Sequence, residues 1–268
     1  MKYPVSKNLF YLNKNLIYLN HGSFGATPRI ILDKFFKLTL RMENNLMKFF
    51  IDDYPNLIKQ ARESISKILN SPTNNLAFIE NATTGINSVL RSLQPEIDKN
   101  REILTFDHYY PAVNNTLKYI QSITNCKINV VELPQFIESN DQIIYLLKKN
   151  INPRTKLLVI DHISSISAIT YPIKEIVELC HKYHIPVLID GAHAPGYLEL
   201  NLAKINPDWY TGNLHKWYFA PKGTAILYTT DKWLHKIHPL IISNDYSKGY
   251  NSESVSYTHL TLPTIYSV

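Results

Sequence analysis

Pro186-Val-Leu-Ile-Asp190-Gly-Ala-His193 is the stretch that decides the fold of this 268-residue chain. A short apolar run bounded by proline and closed by a carboxylate reads as a buried strand delivering polar groups at its end. The same pattern recurs along the chain. Strands are predicted at 76–80, 102–106, 128–133, 156–161, 186–190 and 224–228. Helices are predicted at 83–93, 111–124, 142–149 and 173–183. Alternating strand and helix units predict an α/β fold with a mostly parallel sheet covered by helices on both faces. In such sheets ligands bind at the carboxyl ends of the strands. Those ends carry residues 80–84, 107–110, 161–165 and 190–193.

Upstream, residues 54–70 place Leu57, Ile58, Ala61, Ile65, Ile68 and Leu69 on one helix face. The expected organisation is an N-terminal helical segment over 1–70 and a large domain over 71–250. Residues 254–268 read as a non-native tail, because they begin no clear element and resemble a translated cloning scar.

A 45% hydrophobic and 19% charged composition fits a soluble globular chain. The net charge of +6 comes from scattered lysines and arginines. No run of five basic residues and no nucleic-acid motif occurs, so a nucleic-acid partner is not expected. An anionic cofactor suits such a chain equally well. No apolar run approaches bilayer length and no signal peptide opens the chain, which predicts no membrane association and a cytoplasmic location. Cys126 and Cys180 form neither a disulfide framework nor a metal pattern. No metal is expected.

The residues with chemical meaning fall into four runs. Trp209-Tyr-Thr-Gly-Asn-Leu-His-Lys216-Trp217 surrounds a lysine with aromatic residues that would desolvate its amine and lower its pKa. A lysine amine of this kind forms a Schiff base with an aldehyde, while an aspartate such as Asp190 keeps a pyridine nitrogen protonated. Asn81-Ala82-Thr83-Thr84-Gly85 joins a strand to a helix start, where amides, hydroxyls and the helix dipole favour an anion. Asp107-His108-Tyr-Tyr110-Pro111 offers a ring to stack on a flat cofactor. Asp161-His162-Ile-Ser164-Ser165 offers polar groups at a third strand end. Each run has a plainer meaning. Thr83 also serves as an N-cap, the tyrosines as wet strand-end residues, Ser165 as a turn polar, Asp190 as a helix cap, and a lone lysine as a solvated side chain. Their order along one α/β chain favours pyridoxal 5'-phosphate.

Taken together, these runs resemble the class V aminotransferases among fold-type-I pyridoxal phosphate enzymes. Tyr18-Leu-Asn-His-Gly-Ser-Phe-Gly-Ala-Thr-Pro28 is most similar to the isopenicillin N epimerase-like branch. The resemblance implies that Lys216 holds the cofactor covalently and moves protons at the substrate's α carbon. It implies Asp190 on the pyridine nitrogen and His193 near the phenolic oxygen. Ala82, Thr83 and Thr84 would hold the phosphate, with Asn213 and His215 assisting. Tyr110, or else His108, would stack on the ring. Ser165 would sit near the ring oxygen, and His21 and Gly25 would border the substrate pocket. The sheet would be of the seven-stranded type.

The resemblance also implies a homodimer when full length and a small-molecule, amino-acid-like substrate. A small C-terminal domain of the family is expected to be missing, making this a truncated copy. The expected function is therefore chemistry at an amino-acid α carbon by epimerisation, transamination or elimination. The alternatives are a catalytically inactive fragment or a cysteine desulfurase or lyase relative. Desulfurases place a catalytic cysteine after the lysine, whereas both cysteines here precede Lys216.

Overall fold

The computed structural model describes residues 7–242 and 246. The expected tail at 254–268 lies outside the described residues. Seven strands form one sheet: β1 (Leu76–Ile79), β2 (Glu102–Phe106), β3 (Lys127–Val131), β4 (Thr155–Asp161), β5 (Val187–Asp190), β6 (Trp209–Asn213) and β7 (Ala225–Thr229). The helices are α1 (Arg29–Asn44), α2 (Leu46–Lys48), α3 (Tyr54–Leu69), α4 (Ala82–Leu93), α5 (Pro111–Thr124), α6 (Asn140–Asn150), α7 (Ile173–Lys182), α8 (Leu202–Ile205) and α9 (Asp231–Leu234).

The sheet order is β1-β7-β6-β5-β4-β2-β3. β7 pairs antiparallel with both β1 and β6, and every other pairing is parallel. The chain is thus the α/β, mostly parallel seven-stranded fold expected. β6 was not foreseen as a strand. Its sequence, Trp-Tyr-Thr-Gly-Asn, lacks the aliphatic run of its neighbours, yet all five residues are buried. Pairing on both sides supplies what its local propensity does not.

Side chains alternate across the sheet and build two cores. Leu158, Ile160, Val187 and Ile189 point to the face covered by α3, α6 and α7. Leu157, Val159 and Leu188 point to the face covered by α4 and α5. Burial on both faces explains why the strands read as continuous apolar runs rather than alternating ones.

α1 was not anticipated as a separate element. It buries only Met42, so its sequence shows a weak core stripe. α3 packs Ile65 and Leu69 onto the sheet and ends at Asn70 in a left-handed conformation, φ 47°, that closes its last turn. The loop ahead of α1 passes over the carboxyl ends of the central strands. There Gly25 lies so close to the backbone after β6 that a Cβ would sit 2.1 Å from the Lys216 carbonyl oxygen.

Candidate active site

β4 and β5 end side by side on carboxylates. Asp161 and Asp190 are register partners, and both are buried. The Ala192 amide donates to Asp190 Oδ1 at 2.9 Å, whereas Asp161 Oδ1 has no hydrogen-bond partner. Burial, and then the charge of Asp190, holds the Asp161 carboxyl well above the usual carboxylate range, against the pull of the Tyr110 and Ser165 amides and of Lys216. Burial also raises Asp190, while the Ala192 amide and Lys216 oppose the rise. Burial thus raises both carboxyls, and Asp161 feels the charge of Asp190 in addition.

Lys216 follows β6 by three residues. Its Nζ lies 3.2 Å from His193 Nε2 and 6.0 Å from the centre of the Tyr110 ring. Burial lowers its pKa, outweighing the attraction of Asp190 and Asp161. Burial and the neighbouring Lys216 push His193 down to about 4. His215 turns away from the amine and donates from Nδ1 to the Thr224 carbonyl at 3.0 Å. Beyond Lys216 the chain reverses through Phe219, a non-glycine residue at φ 59°. Its ring is held against Phe10 and His21, which compensates a conformation costing about 1 kcal/mol.

The start of α4 faces the same space. The Asn81 side chain caps it by accepting from the Thr84 amide at 2.9 Å. Asn213, the last residue of β6, accepts from the Ala82 amide at 2.8 Å and ties the helix to the lysine strand. Two of the first three helix amides are thus engaged, and Thr83 sits between them on the cavity wall.

These groups line a cavity of about 850 Å³. Among the expected residues, Ala82, Thr83, Tyr110, Ser165, Asp190, His193, Asn213, His215 and Lys216 line it. Four others lie behind its wall. Thr84 bonds to Asn81, and His108 pairs through Nδ1 with Ser167 at 3.0 Å. His21 accepts from the Ala26 amide and packs against Phe219, and Gly25 is buried against the Lys216 backbone. His162 leaves the cavity and pairs with the Tyr210 hydroxyl at 2.8 Å in the core.

Asp161, Trp217 and Tyr197 on the wall carry no assigned role in the sequence reading. Asp161 occupies the same strand-end position as Asp190, a signal that was present. Trp217 was visible only as an apolar neighbour of the lysine. Tyr197 gave no local signal. Among the described residues there is no cluster of three His, Cys, Asp or Glu side chains able to hold a metal, and no helix is long and apolar enough to cross a membrane.

The aminotransferase class-V family model matches residues 25–263. The chain is 29% identical over 252 residues to a probable chloroplastic L-cysteine desulfhydrase of Arabidopsis thaliana, covering 88% of this chain and 53% of that protein. It is 29% identical over 232 residues to isopenicillin N epimerase of Streptomyces clavuligerus, covering 87% of this chain and 58% of the epimerase.

Two structures of the lyase C-DES share the fold, each with a TM-score of 0.79, at 23% and 21% identity. They cover 86% and 97% of this chain and 61% and 72% of theirs. One is the cystine C–S lyase with its product cysteine persulfide, and the other carries glycine covalently linked to the pyridoxal phosphate cofactor. The chain belongs to the aminotransferase class-V family of pyridoxal phosphate enzymes. It spans little more than half the length of the desulfhydrase and the epimerase.

Proposed function

We propose that this class-V chain holds pyridoxal 5'-phosphate at Lys216 and acts at the α carbon of an amino-acid-like substrate. The observation that carries the reading is a half-buried lysine amine facing two strand-end carboxyls, with the start of α4 on the same cavity. The side chains fit the cofactor. Asp190 is a buried carboxylate with one amide donor and room for a pyridinium N–H. Thr83 and the α4 terminus suit a phosphate, and Tyr110 stands at the wall where a flat ring would lie.

When bound, the cofactor supplies an electron sink for the carbanion left by breaking a bond at the substrate's α carbon. The chain's own residues do the rest. Lys216, its pKa lowered by burial, is the base that takes the α proton and returns it. Asp190 would pair its carboxylate with the pyridine nitrogen of the bound cofactor. His193 holds a ring nitrogen 3.2 Å from the amine. Asn213 fixes the distance between the lysine strand and the phosphate helix. The N-terminal loop, through Asn20, Ser23 and Phe24, closes part of the cavity and limits water.

Elimination from a sulfur-bearing substrate is the second reading, supported by the desulfhydrase and lyase relatives. Cys126 and Cys180 are buried and off the cavity, so neither supplies a thiol to it. Both are free, which suits a reducing, cytoplasmic setting. We place the cofactor-holding unit at 71–250 and the working assembly as a homodimer, a placement that rests on family membership.

The test incubates the cofactor-loaded chain with single L-amino acids in D2O and follows the α proton by NMR, with pyruvate and sulfide as parallel readouts. Exchange at the α carbon supports the reading. Absence of exchange, transamination and elimination across the panel would mark the chain as inactive and overturn it.

A further inference from the structure

Trp217 follows the lysine directly, and its indole Nε1–H donates to His193 Nδ1 at 3.3 Å. The opposite ring nitrogen of His193, Nε2, lies 3.2 Å from Lys216 Nζ. An indole nitrogen can only donate, so Nδ1 of His193 must accept. A neutral imidazole has one donor and one acceptor, which puts its proton on Nε2. That proton points at the lysine nitrogen. An ammonium has three donors and no lone pair, so only the uncharged amine can accept it.

We propose that Trp217 is a positioning residue that fixes the His193 tautomer and thereby holds Lys216 as the free, nucleophilic amine. The inference rests on the reading of Lys216 as the cofactor-anchoring residue and assigns the device that keeps it ready.

The surroundings hold the indole in place. Tyr197 packs against it with ring centres 5.6 Å apart, and a Cβ at Gly22 would come within 3.0 Å of its six-membered ring. The groups facing Lys216 pull in both directions. Asp190 and Asp161, at the ends of β5 and β4, favour the ammonium, and the Tyr110 ring at the start of α5 lies 6.0 Å away. Burial holds His215 beside the lysine and His193 after β5 below the ordinary histidine value. Burial alone thus works against two carboxyls, and the directed Nε2–H adds a contact that exists only with the uncharged amine.

The test uses the cofactor-free chain, so it does not depend on turnover. 15N-edited NMR of His193 reads which ring nitrogen carries the proton. The expected result is Nε2. A proton on Nδ1 overturns the proposal without any variant. In parallel, acetic anhydride labelling with peptide mass mapping gives the pH at which Lys216 is half reactive, with exposed lysines as internal references. Trp217→Phe keeps an aromatic ring and removes the N–H. It should raise the Lys216 midpoint by about one pH unit, a roughly tenfold drop in labelling below the midpoint, and leave the reference lysines unmoved. An unchanged midpoint in folded Trp217→Phe overturns the proposal. If the tautomer and the labelling shift hold but the chain takes up no pyridoxal phosphate, the proposed function fails while the Trp217 assignment stands.

Discussion

Asp161 and Asp190 face each other in register at the ends of adjacent parallel strands, where the Ala192 amide donates to Asp190 Oδ1 while Asp161 Oδ1 has no hydrogen-bond partner. The pair is the floor of the cavity. Holding two carboxyls together in a buried floor costs folding energy at any pH where the unfolded chain would ionise both.

Asp161→Asn should therefore stabilise the cofactor-free chain at pH 7. Burial raises the folded-state pKa of this carboxyl. Its cost is then absent below the unfolded value near 3.9 and grows as pH rises through the window above it. A gain of about 1–2 kcal/mol, or roughly 2–8 °C in Tm, is expected at pH 7, shrinking toward pH 4. Thermal melts of both proteins across that range check it. Equal Tm values at pH 7 would contradict the assignment.

His162 acts with the opposite sign. Burial pushes it down to about 4, so the folded chain resists a proton that the unfolded chain accepts from near 6.5. Its contribution is complete above about 6.5 and is lost as pH falls to about 4, a loss of roughly 3 kcal/mol. Urea unfolding of Asp161→Asn between pH 7 and 4, with and without His162→Phe, isolates this effect from the carboxyl's and from that of His193, which is also pushed down to about 4. Flat stability across that window would show that His162 is already charged or exposed.

Asp190→Asn keeps the shape of the cavity floor and removes the carboxylate proposed to pair with the cofactor's ring nitrogen. Covalent uptake of the cofactor at Lys216 should survive, while turnover falls by at least about a hundredfold, ~2.7 kcal/mol of barrier. Side-by-side borohydride trapping and steady-state rates make the comparison. Wild-type turnover in this variant would remove Asp190 from its assigned place.

Gly25→Ala tests how the N-terminal loop seats on the lysine segment. The added methyl would meet the backbone oxygens of Lys216 and His215 at 2.1 and 2.4 Å. Backbone cannot rotate aside as a side chain can, so about 1–3 kcal/mol of stability should be lost. Cofactor affinity should weaken with it. An alanine variant with unchanged melting and affinity would show that the loop does not rest there.

Much of the fold was legible because the six aliphatic strand runs and the five amphipathic helices carry their periodicity locally. β6 and the reversal of β7 were not legible. Trp209 to Asn213 owe their strand conformation to partners on both sides, and strand direction depends on a connection whose length the pattern leaves open. In the site, Asp190 was visible because it ends a recognisable strand, and Lys216 and Asn213 because the run Asn213-Leu-His-Lys216-Trp217 is distinctive in itself. Thr84 and His108 were grouped with their neighbours by sequence adjacency, whereas capping and a bond to Ser167 turn them from the cavity. Tyr197 and the indole–imidazole–amine chain through Trp217 and His193 join residues about twenty or more positions apart, and only the folded chain brings them together.

The most direct measurement is titration of the purified chain with pyridoxal 5'-phosphate, followed by borohydride reduction and peptide mapping, with Lys216→Ala alongside. The account predicts a visible absorption band that reduction abolishes and a phosphopyridoxyl mass on the peptide containing Lys216, with neither in the alanine variant. Attachment spread over exposed lysines, or unchanged in Lys216→Ala, would contradict it.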